Sequence, residues 1–332
     1  MERSLDFGSY NIYLGKNFCM KYSIGFVLSL LCFSVYSQIP NGYYSSADGL
    51  TGIDLKSELN TIIKNHIEFP YTSGSTDVWD ILKETDKDPD NPNNVILLYS
   101  GWSKNGNQEF NGGNGWNREH VWPKSRGDFG DAEGPGTDVH ALRPCDISVN
   151  ASRSNRWFAE CNTEYIDGDG PTGCYTSATE WVWKPNENVK GDVARMIFYM
   201  ATRYEGQNSE PDLKLIDYLP TNNNTSDPIH AKLSDLLLWH EQDPVDDWER
   251  QRNDIIYYDF QNNRNPFIDH PEFAQLIWGS LSGNTAFGKT PKTLIKVMDF
   301  LGKEVESKTN KLLIYLYSDG SVEKRFEYSN KD

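Results

Sequence analysis

The chain has 332 residues, 37% of them hydrophobic and 13% aromatic, enough for a sizeable core and too apolar for a disordered protein. Its formal net charge of −16 excludes a generic nucleic-acid-coating protein, whose contact surface is basic. An enzyme with a locally cationic cleft stays compatible with that charge, because a metal ion supplies part of the field.

Residues 1–19 are polar and carry no pattern. Met20-Lys21 then leads into the apolar run Ile24–Phe33, followed by Ser34-Val35-Tyr36-Ser37. A basic start, about ten apolar residues and a small residue before a cut describe a secretory signal peptide. The run is shorter than the roughly 20 residues of a membrane span. The expectation is a lead and signal over 1–37, translation from Met20, and a secreted or cell-surface product without a membrane span; the alternative is a short buried helix. Export permits disulfides. Cys19 and Cys32 lie in the removed stretch, and Cys161 with Cys174 would close a loop around Asp167–Gly170. Cys145 would then be a buried thiol, although three cysteines do not fix a pairing.

Within residues 53–67, Leu55, Leu59, Ile62 and Ile63 recur at helical spacing, and residues 78–83 suggest another helical turn. The polar run Asp86–Asn94 fails the EF-hand pattern, since Asn91 and Leu97 stand where Gly and Glu are required. It reads as a capped, solvated turn. Residues 95–99 are strand-like, and 101–115 form a Gly/Asn-rich loop. Val193, Met196, Ile197 and Met200 mark a buried helix over 189–204. An apolar helix over 233–239 ends in His240, and a further helical stretch runs to Asn262. Residues 281–290 are a Gly/Ser/Thr linker between a domain over 38–280 and a tail over 291–332. The tail reads as short strands with a tight Asp319-Gly320 turn and is too small to bury much core alone.

The chemistry lies in Trp116–Arg126, Thr137–Pro144 and Ser148–Trp157, read as strand, Gly/Pro-rich loop, strand and helix. Asp146 or Ser148 would cap that helix. Phosphodiester hydrolysis needs an activated water, a counter-charge for the phosphate and a proton for the leaving oxygen. His120 suits the base, since an unperturbed imidazole titrates near ~6.5. Glu119 offers one carboxylate and Asn150 one amide oxygen, a sparse oxygen set of the kind Mg²⁺ tolerates, with Mn²⁺ or Ca²⁺ as alternatives. Arg153 lies three residues after Asn150 and would share its helix face, placed to hold a phosphate oxygen. One tension remains: on a regular strand Glu119 and His120 point to opposite faces, so the strand must end, bulge or be approached from both sides.

Arg118-Glu119-His120-Val121-Trp122-Pro123, Asp138–Pro144 and Val149–Asn155, with Asn263–Pro271 further on, resemble the bacterial endonuclease I group of the ββα-metal nucleases. That group includes secreted Bacillus-type extracellular nucleases, and the resemblance covers roughly residues 40–280. It implies an α+β fold, mostly helical around a ββα-metal hairpin and helix, followed here by a short β-rich tail. It implies that Glu119 and Asn150 hold the metal, that His120 activates water, and that DNA, RNA or both are cut without sequence preference. Arg126, Arg153 and Arg156 are the candidates for the transition-state arginine. Arg118, Arg143 and Arg156 are phosphate-binding candidates, Arg143 equally a brace for the hairpin. The tail resembles the C-terminal sorting segments of secreted Bacteroidetes proteins, implying a type IX-like export machinery as partner. A monomer is expected.

Plainer roles stand beside these. His140 reads as a structural hydrogen-bonder behind the site, with Asn155 near it. His240 reads as a helix end cap, His270 as a turn former and Trp122 as core, while Asp167 and Asp169 read as a turn rather than a calcium site. A zinc hydrolase built on His120, His140 and a carboxylate is a rival reading, although the His-Glu-x-x-His pattern is absent. A non-catalytic nucleic-acid-binding or surface protein is the other.

Overall fold

The computed structural model describes residues 39–279, 294–298, 303, 305, 311–317 and 322–327. The signal segment, Met20, Cys19, Cys32, the linker over 281–290 and the Asp319-Gly320 turn lie outside the described residues.

Helix α1 (Gly52–Ile63) buries Leu55, Leu59 and Ile63, the positions its spacing predicts. Helix α2 (Val78–Thr85) starts at a capping box in which Asp77 and Asp80 each accept from the other's backbone N–H. Strands β1 (Asn94–Ile96) and β2 (Ser103–Asn105) pair antiparallel. The predicted strand over 95–99 therefore ends early, and its remainder turns back toward Trp102. The Asp86–Asn94 run is a capped, solvated turn over residues 89–93, as expected, but its first residues are not solvated. Asp86 is fully buried against Arg143 and Arg252, and Asp88 accepts a 2.5 Å hydrogen bond from Ser103. Sequence pattern could not supply those arginines, which lie 57 and 166 residues away.

Strands β3 (Trp116–His120) and β4 (Leu142–Asp146) form a two-stranded antiparallel sheet. Helix α3 (Ile147–Arg153) follows at once, its N-terminus capped by Asp146, which accepts from the N–H groups of Ser148 and Val149. Next comes a four-stranded sheet of β5 (Trp157–Phe158), β6 (Thr163–Asp167), β7 (Gly170–Thr176) and β8 (Val182–Lys184), in the order β5-β8-β7-β6. Asp167 and Asp169 sit at the β6–β7 turn, where Asp167 accepts from the Asp169 N–H.

Helix α4 (Lys190–Arg203) is buried at all fourteen positions, more than the single stripe expected. Its charged residues are therefore paired: Arg195 grips Glu249 through two hydrogen bonds, and Arg203 grips Glu210. Parallel strands β9 (Lys214–Ile216) and β10 (Ile229–Lys232) precede α5 (Leu233–Gln242) and α6 (Asp247–Ile255), which runs into a π-helical turn over 256–261. The helices α7 (Pro266–Asp269) and α8 (Glu272–Trp278) close this part. His240 does not cap α5: its ring bridges Arg195 and the Pro271 carbonyl, tying α4 to the start of α8. In the tail, β11 (Leu294–Met298), β12 (Lys311–Tyr317) and β13 (Val322–Glu327) form an antiparallel sheet around Val297, Leu313 and Tyr315.

The chain is α+β. The hairpin β3–β4 lies between two apolar clusters: Trp116 and Leu142 join Val78, Ile81, Leu82 and Ile256, while Val121, Trp122, Ala141 and Val149 join the α1–α4–α5 core. Strand β4 is buried at every residue, whereas β3 keeps Asn117 and Arg118 half-exposed. One edge of the hairpin is thus fixed in the core while the other stays accessible.

Candidate active site

Strand β3 pairs with β4 from Trp116↔Asp146 to His120↔Leu142 with no register shift, and Val121 continues the ladder to Ala141. No bulge separates Glu119 from His120, so they point to opposite faces. On one face, Asn117 and Glu119 meet α3: Asn150 Nδ2 donates to Asn117 Oδ1 at 2.8 Å, and Arg153 Nε lies 3.3 Å from Glu119 Oε1. On the other, Arg118 and His120 meet Tyr71, whose ring centroid lies 3.3 Å from the Arg118 guanidinium and 5.6 Å from the His120 ring. The sheet has only two strands, and among the described residues the outer edge of β3 carries one bridge, from Glu109 to Trp116 at its first residue. Both sets of side chains line one cleft of about 580 Å³ around that edge, together with Trp79, Phe110, Lys124, Asn150, Ser154 and Asn155.

His120 Nε2 lies 3.0 Å from the Gly136 carbonyl. A carbonyl only accepts, so the neutral ring carries its proton on Nε2 and its lone pair on Nδ1. Residue 136 must be glycine for this contact, since a Cβ would fall 2.6 Å from the Gly130 oxygen and 2.7 Å from that of Ala132. Burial pushes the His120 pKa down to about 4, so the ring is neutral near pH 7. Glu119 is buried as well, and desolvation raises its pKa against the opposing pull of Arg153 and of the Tyr99 hydroxyl. That hydroxyl donates to Oε1 at 2.7 Å. Among the described residues, the hydrogen bond and the ion pair of Glu119 both fall on Oε1.

The predicted arginines separate. Arg153 lines the cleft beside Glu119 but is almost fully buried, donating to the carbonyls of His120, Val121 and Ser154 at 3.2, 2.5 and 3.0 Å. Arg118 lines the cleft, but its guanidinium is sandwiched between Tyr71 and Trp79, 4.1 Å from the latter's centroid. Arg126 does not line the cleft: it is fully buried, lies 3.4 Å over the Trp157 ring and donates to the carbonyls of Asn155, Asn223 and Thr225. Arg143 does not line it either, being taken up by Asp86 and Asp192, which makes it the brace of the hairpin. Arg156 stacks 3.8 Å over Trp181, outside the cleft lining. The separation is physical, since a buried cation needs carbonyl, carboxylate or ring partners and these hold it away from substrate.

His140 sits behind the hairpin with its Nε2 3.1 Å from the Asn263 carbonyl, its ring against Tyr199 and its pKa pushed by burial to about 4. Among the described residues His120 and His140 join no group of three possible metal ligands, so the zinc set is not assembled. Asn155 lines the cleft, and its Oδ1 accepts from Trp181 Nε1 at 2.8 Å. The expected Cys161–Cys174 disulfide is absent: both thiols are unlinked, and Cys174 is buried with its Sγ donating to the Tyr99 carbonyl. Burial raises both thiols, to about 11 and about 12.

Sequence reading missed Tyr71, Trp79, Tyr99 and Lys124 at the site. Lys124 alone carried a signal, as a cation four residues after His120; it is exposed at the cleft and pairs with Asp131 at 2.7 Å. Asp138 was quoted only as part of a motif. It accepts from the hydroxyls of Tyr199 and Tyr204 at 2.8 Å and from Gln261 at 3.0 Å, which ties the hairpin loop to α4; burial pushes its pKa up, but the charges of His66 and His140, with the Gln261 and Tyr199 hydrogen bonds, hold it at about 2.

Among the described residues no group of three or more His, Cys, Asp or Glu converges on one point. The cleft offers a smaller donor set of one carboxylate and one amide oxygen. Asn150 spends its amide donor on Asn117, which leaves its Oδ1 as an acceptor. Such a pair suits a hard divalent cation that keeps several waters.

A neutral imidazole, a buried carboxylate, an amide oxygen and a lysine line one open groove, and the relatives of the chain show that it is a nuclease. It belongs to the Endonuclease I family, whose residue pattern matches residues 51–272. It is 55% identical over 238 residues to the extracellular ribonuclease of Bacillus subtilis, covering 71% of this chain and 78% of that protein. The extracellular ribonuclease of Bacillus amyloliquefaciens is 52% identical over 236 residues, 71% of this chain and 78% of its own. An Endonuclease-1 from Buchnera aphidicola is 25% identical over 133 residues, 40% of this chain and 46% of its own.

Proposed function

We propose that this chain is an extracellular, Mg²⁺-dependent endonuclease that hydrolyses RNA, and DNA as well, without sequence preference. The observation that carries the reading is the Gly136 carbonyl on His120 Nε2, which leaves Nδ1 as the acceptor on a ring that lines the same cleft as Glu119 and Asn150. The β3–β4–α3 unit is then the ββα-metal motif. Export is supported by the apolar run Ile24–Phe33 and by the names of the two Bacillus relatives. The tail over 291–332 acts as a sorting segment in this reading.

Glu119 and Asn150 would hold the ion, Mg²⁺ or in its place Mn²⁺ or Ca²⁺, which when bound would supply counter-charge for the phosphate and acidity for protonating the leaving oxygen. His120 Nδ1 takes the proton from the attacking water, while Gly136 fixes the ring orientation and stabilises the imidazolium that forms. Arg153 keeps Glu119 ionised and holds the β3–α3 corner through the His120 and Val121 carbonyls. Lys124 supplies a mobile cation for a flanking phosphate. Attack by water needs no 2′-hydroxyl, so RNA and DNA are both substrates.

The test is digestion of total RNA and plasmid DNA by the chain starting near Gln38, with Mg²⁺, with EDTA, and with His120→Ala beside wild type. Metal-dependent degradation that drops by roughly 10²–10⁴ in His120→Ala is expected, the usual contribution of a general base. Intact nucleic acid under Mg²⁺, Mn²⁺ and Ca²⁺ from a folded protein would overturn the reading in favour of a binding protein.

A further inference from the structure

Phe110 lines the catalytic cleft, yet 59% of it is exposed. An apolar ring left in water beside a catalytic groove calls for an explanation, since single exposed apolar residues are ordinary only away from function. Its backbone is not loose. The Phe110 N–H donates to the Trp116 carbonyl at 2.8 Å, and its own carbonyl accepts from Gly113 at 2.8 Å and Gly115 at 3.3 Å. The loop closes tightly at Gly115, where a Cβ would lie 1.7 Å from the Gln108 oxygen. Phe110 itself is held at φ 51°, ψ −46°, a conformation that a bulky residue adopts only when its surroundings impose it. The loop is therefore built to present this ring, anchored to the first residue of the strand that carries Glu119 and His120.

The neighbouring wall is aromatic too. Trp79 packs edge-on against Trp116 at 4.7 Å and covers one face of Arg118, whose other face lies under Tyr71. That sandwich is complete in itself, and among the described residues the Phe110 ring shows no aromatic or cationic partner. A continuous duplex hides its base faces in the stack, so a free ring in the groove meets a base face without an unstacking cost in an unpaired strand and not in a duplex.

We propose that Phe110 is a nucleobase-stacking subsite that seats an unpaired base next to the scissile phosphate and directs the enzyme to single-stranded RNA and DNA. The inference rests on the nuclease reading above. Phe110 contributes to binding and to the choice of substrate, not to the proton transfers.

The test compares wild type, Phe110→Ala and Phe110→Trp on a labelled single-stranded 12-mer, on a hairpin duplex of the same sequence, and on a 12-mer with abasic sugars at alternate positions. Cleavage is followed with Mg²⁺, and binding by anisotropy with EDTA. Phe110→Ala should weaken binding of the single strand and raise its KM by roughly tenfold, the size of one base–aromatic stack, with a smaller change in kcat. Phe110→Trp should restore the single strand. The abasic strand should bind wild type as weakly as the ordinary strand binds Phe110→Ala, and the duplex should respond little. Equal losses on ordinary and abasic strands, or no loss at all, would overturn the stacking subsite while leaving the nuclease reading intact. Phe110-dependent binding without any cleavage would do the reverse.

Discussion

Arg153 Nε lies 3.3 Å from Glu119 Oε1 in the lining of the cleft, with both side chains almost completely buried. This pair decides the state of the site, because a carboxylate removed from water is ionised only with a partner of opposite charge. The same guanidinium donates to the His120 and Val121 carbonyls, so one side chain sets both the charge and the position of the strand end.

Arg153→Met therefore removes the counter-charge of a buried carboxylate, and a loss of about 3–5 kcal/mol is expected. Arg153→Lys should lose less. Urea denaturation measures both. An unchanged midpoint in Arg153→Met with a collapsed kcat would mean that Arg153 touches phosphate instead of bracing Glu119.

Tyr99→Phe deletes the hydroxyl that donates to Glu119 Oε1 at 2.7 Å. One buried hydrogen bond to a charged group is lost, costing about 1.5–3 kcal/mol of stability. Groups that orient a ligating carboxylate commonly contribute about 10–100-fold to metal affinity. A Mn²⁺ titration of wild type and Tyr99→Phe should show a weakening within that range, and identical isotherms would sever Tyr99 from the ion.

Asn150→Ala should raise the metal concentration for half-maximal activity, with kcat at saturating metal recovering in part. Asn150→Asp should bind the ion more tightly yet turn over more slowly, since added negative charge blunts its Lewis acidity. The measurement is the Mg²⁺ dependence of RNA cleavage for the three proteins. An unshifted midpoint in Asn150→Ala removes Asn150 from the ligand set.

Acid should destabilise the fold in a defined window. His140 is buried with a pKa of about 4, below the ~6.5 of an unfolded chain, so the unfolded state binds more protons between those values. Its contribution is fully present above pH ~6.5 and declines as pH falls toward 4, by about 3 kcal/mol in all. Asp138, held at about 2, extends the same trend below pH 4, since its stabilising charge is lost as pH falls through the folded value. Urea midpoints from pH 7 to 4 should drop steadily in wild type and more gently in His140→Gln. Parallel curves would assign the acid sensitivity to other groups.

Much of the site was legible without coordinates. Gly/Pro punctuation located the strand–loop–strand–helix order of β3, β4 and α3, and the cap of α3 fell to Asp146, one of the two residues expected for it, the other being Ser148. These features are local, set by backbone geometry within a few residues. The roles of the arginines were not legible. Arg126, Arg143, Arg153 and Arg156 look alike as letters, and each is assigned by partners far along the chain: Asn223 for Arg126, Asp86 for Arg143, Glu119 for Arg153 and Trp181 for Arg156.

The sequence by itself determined the α+β class, the family and the residues able to do hydrolytic chemistry, because those follow from short-range pattern and side-chain type. Only the tertiary structure decided how Glu119 and His120 come to line one cleft, by leaving the outer edge of β3 without a strand partner beyond the Glu109 bridge at Trp116, so that side chains from both faces open onto it. It alone decided which cations remain available to substrate, since a charge is withdrawn wherever burial supplies it with partners, and burial is a property of the packed chain.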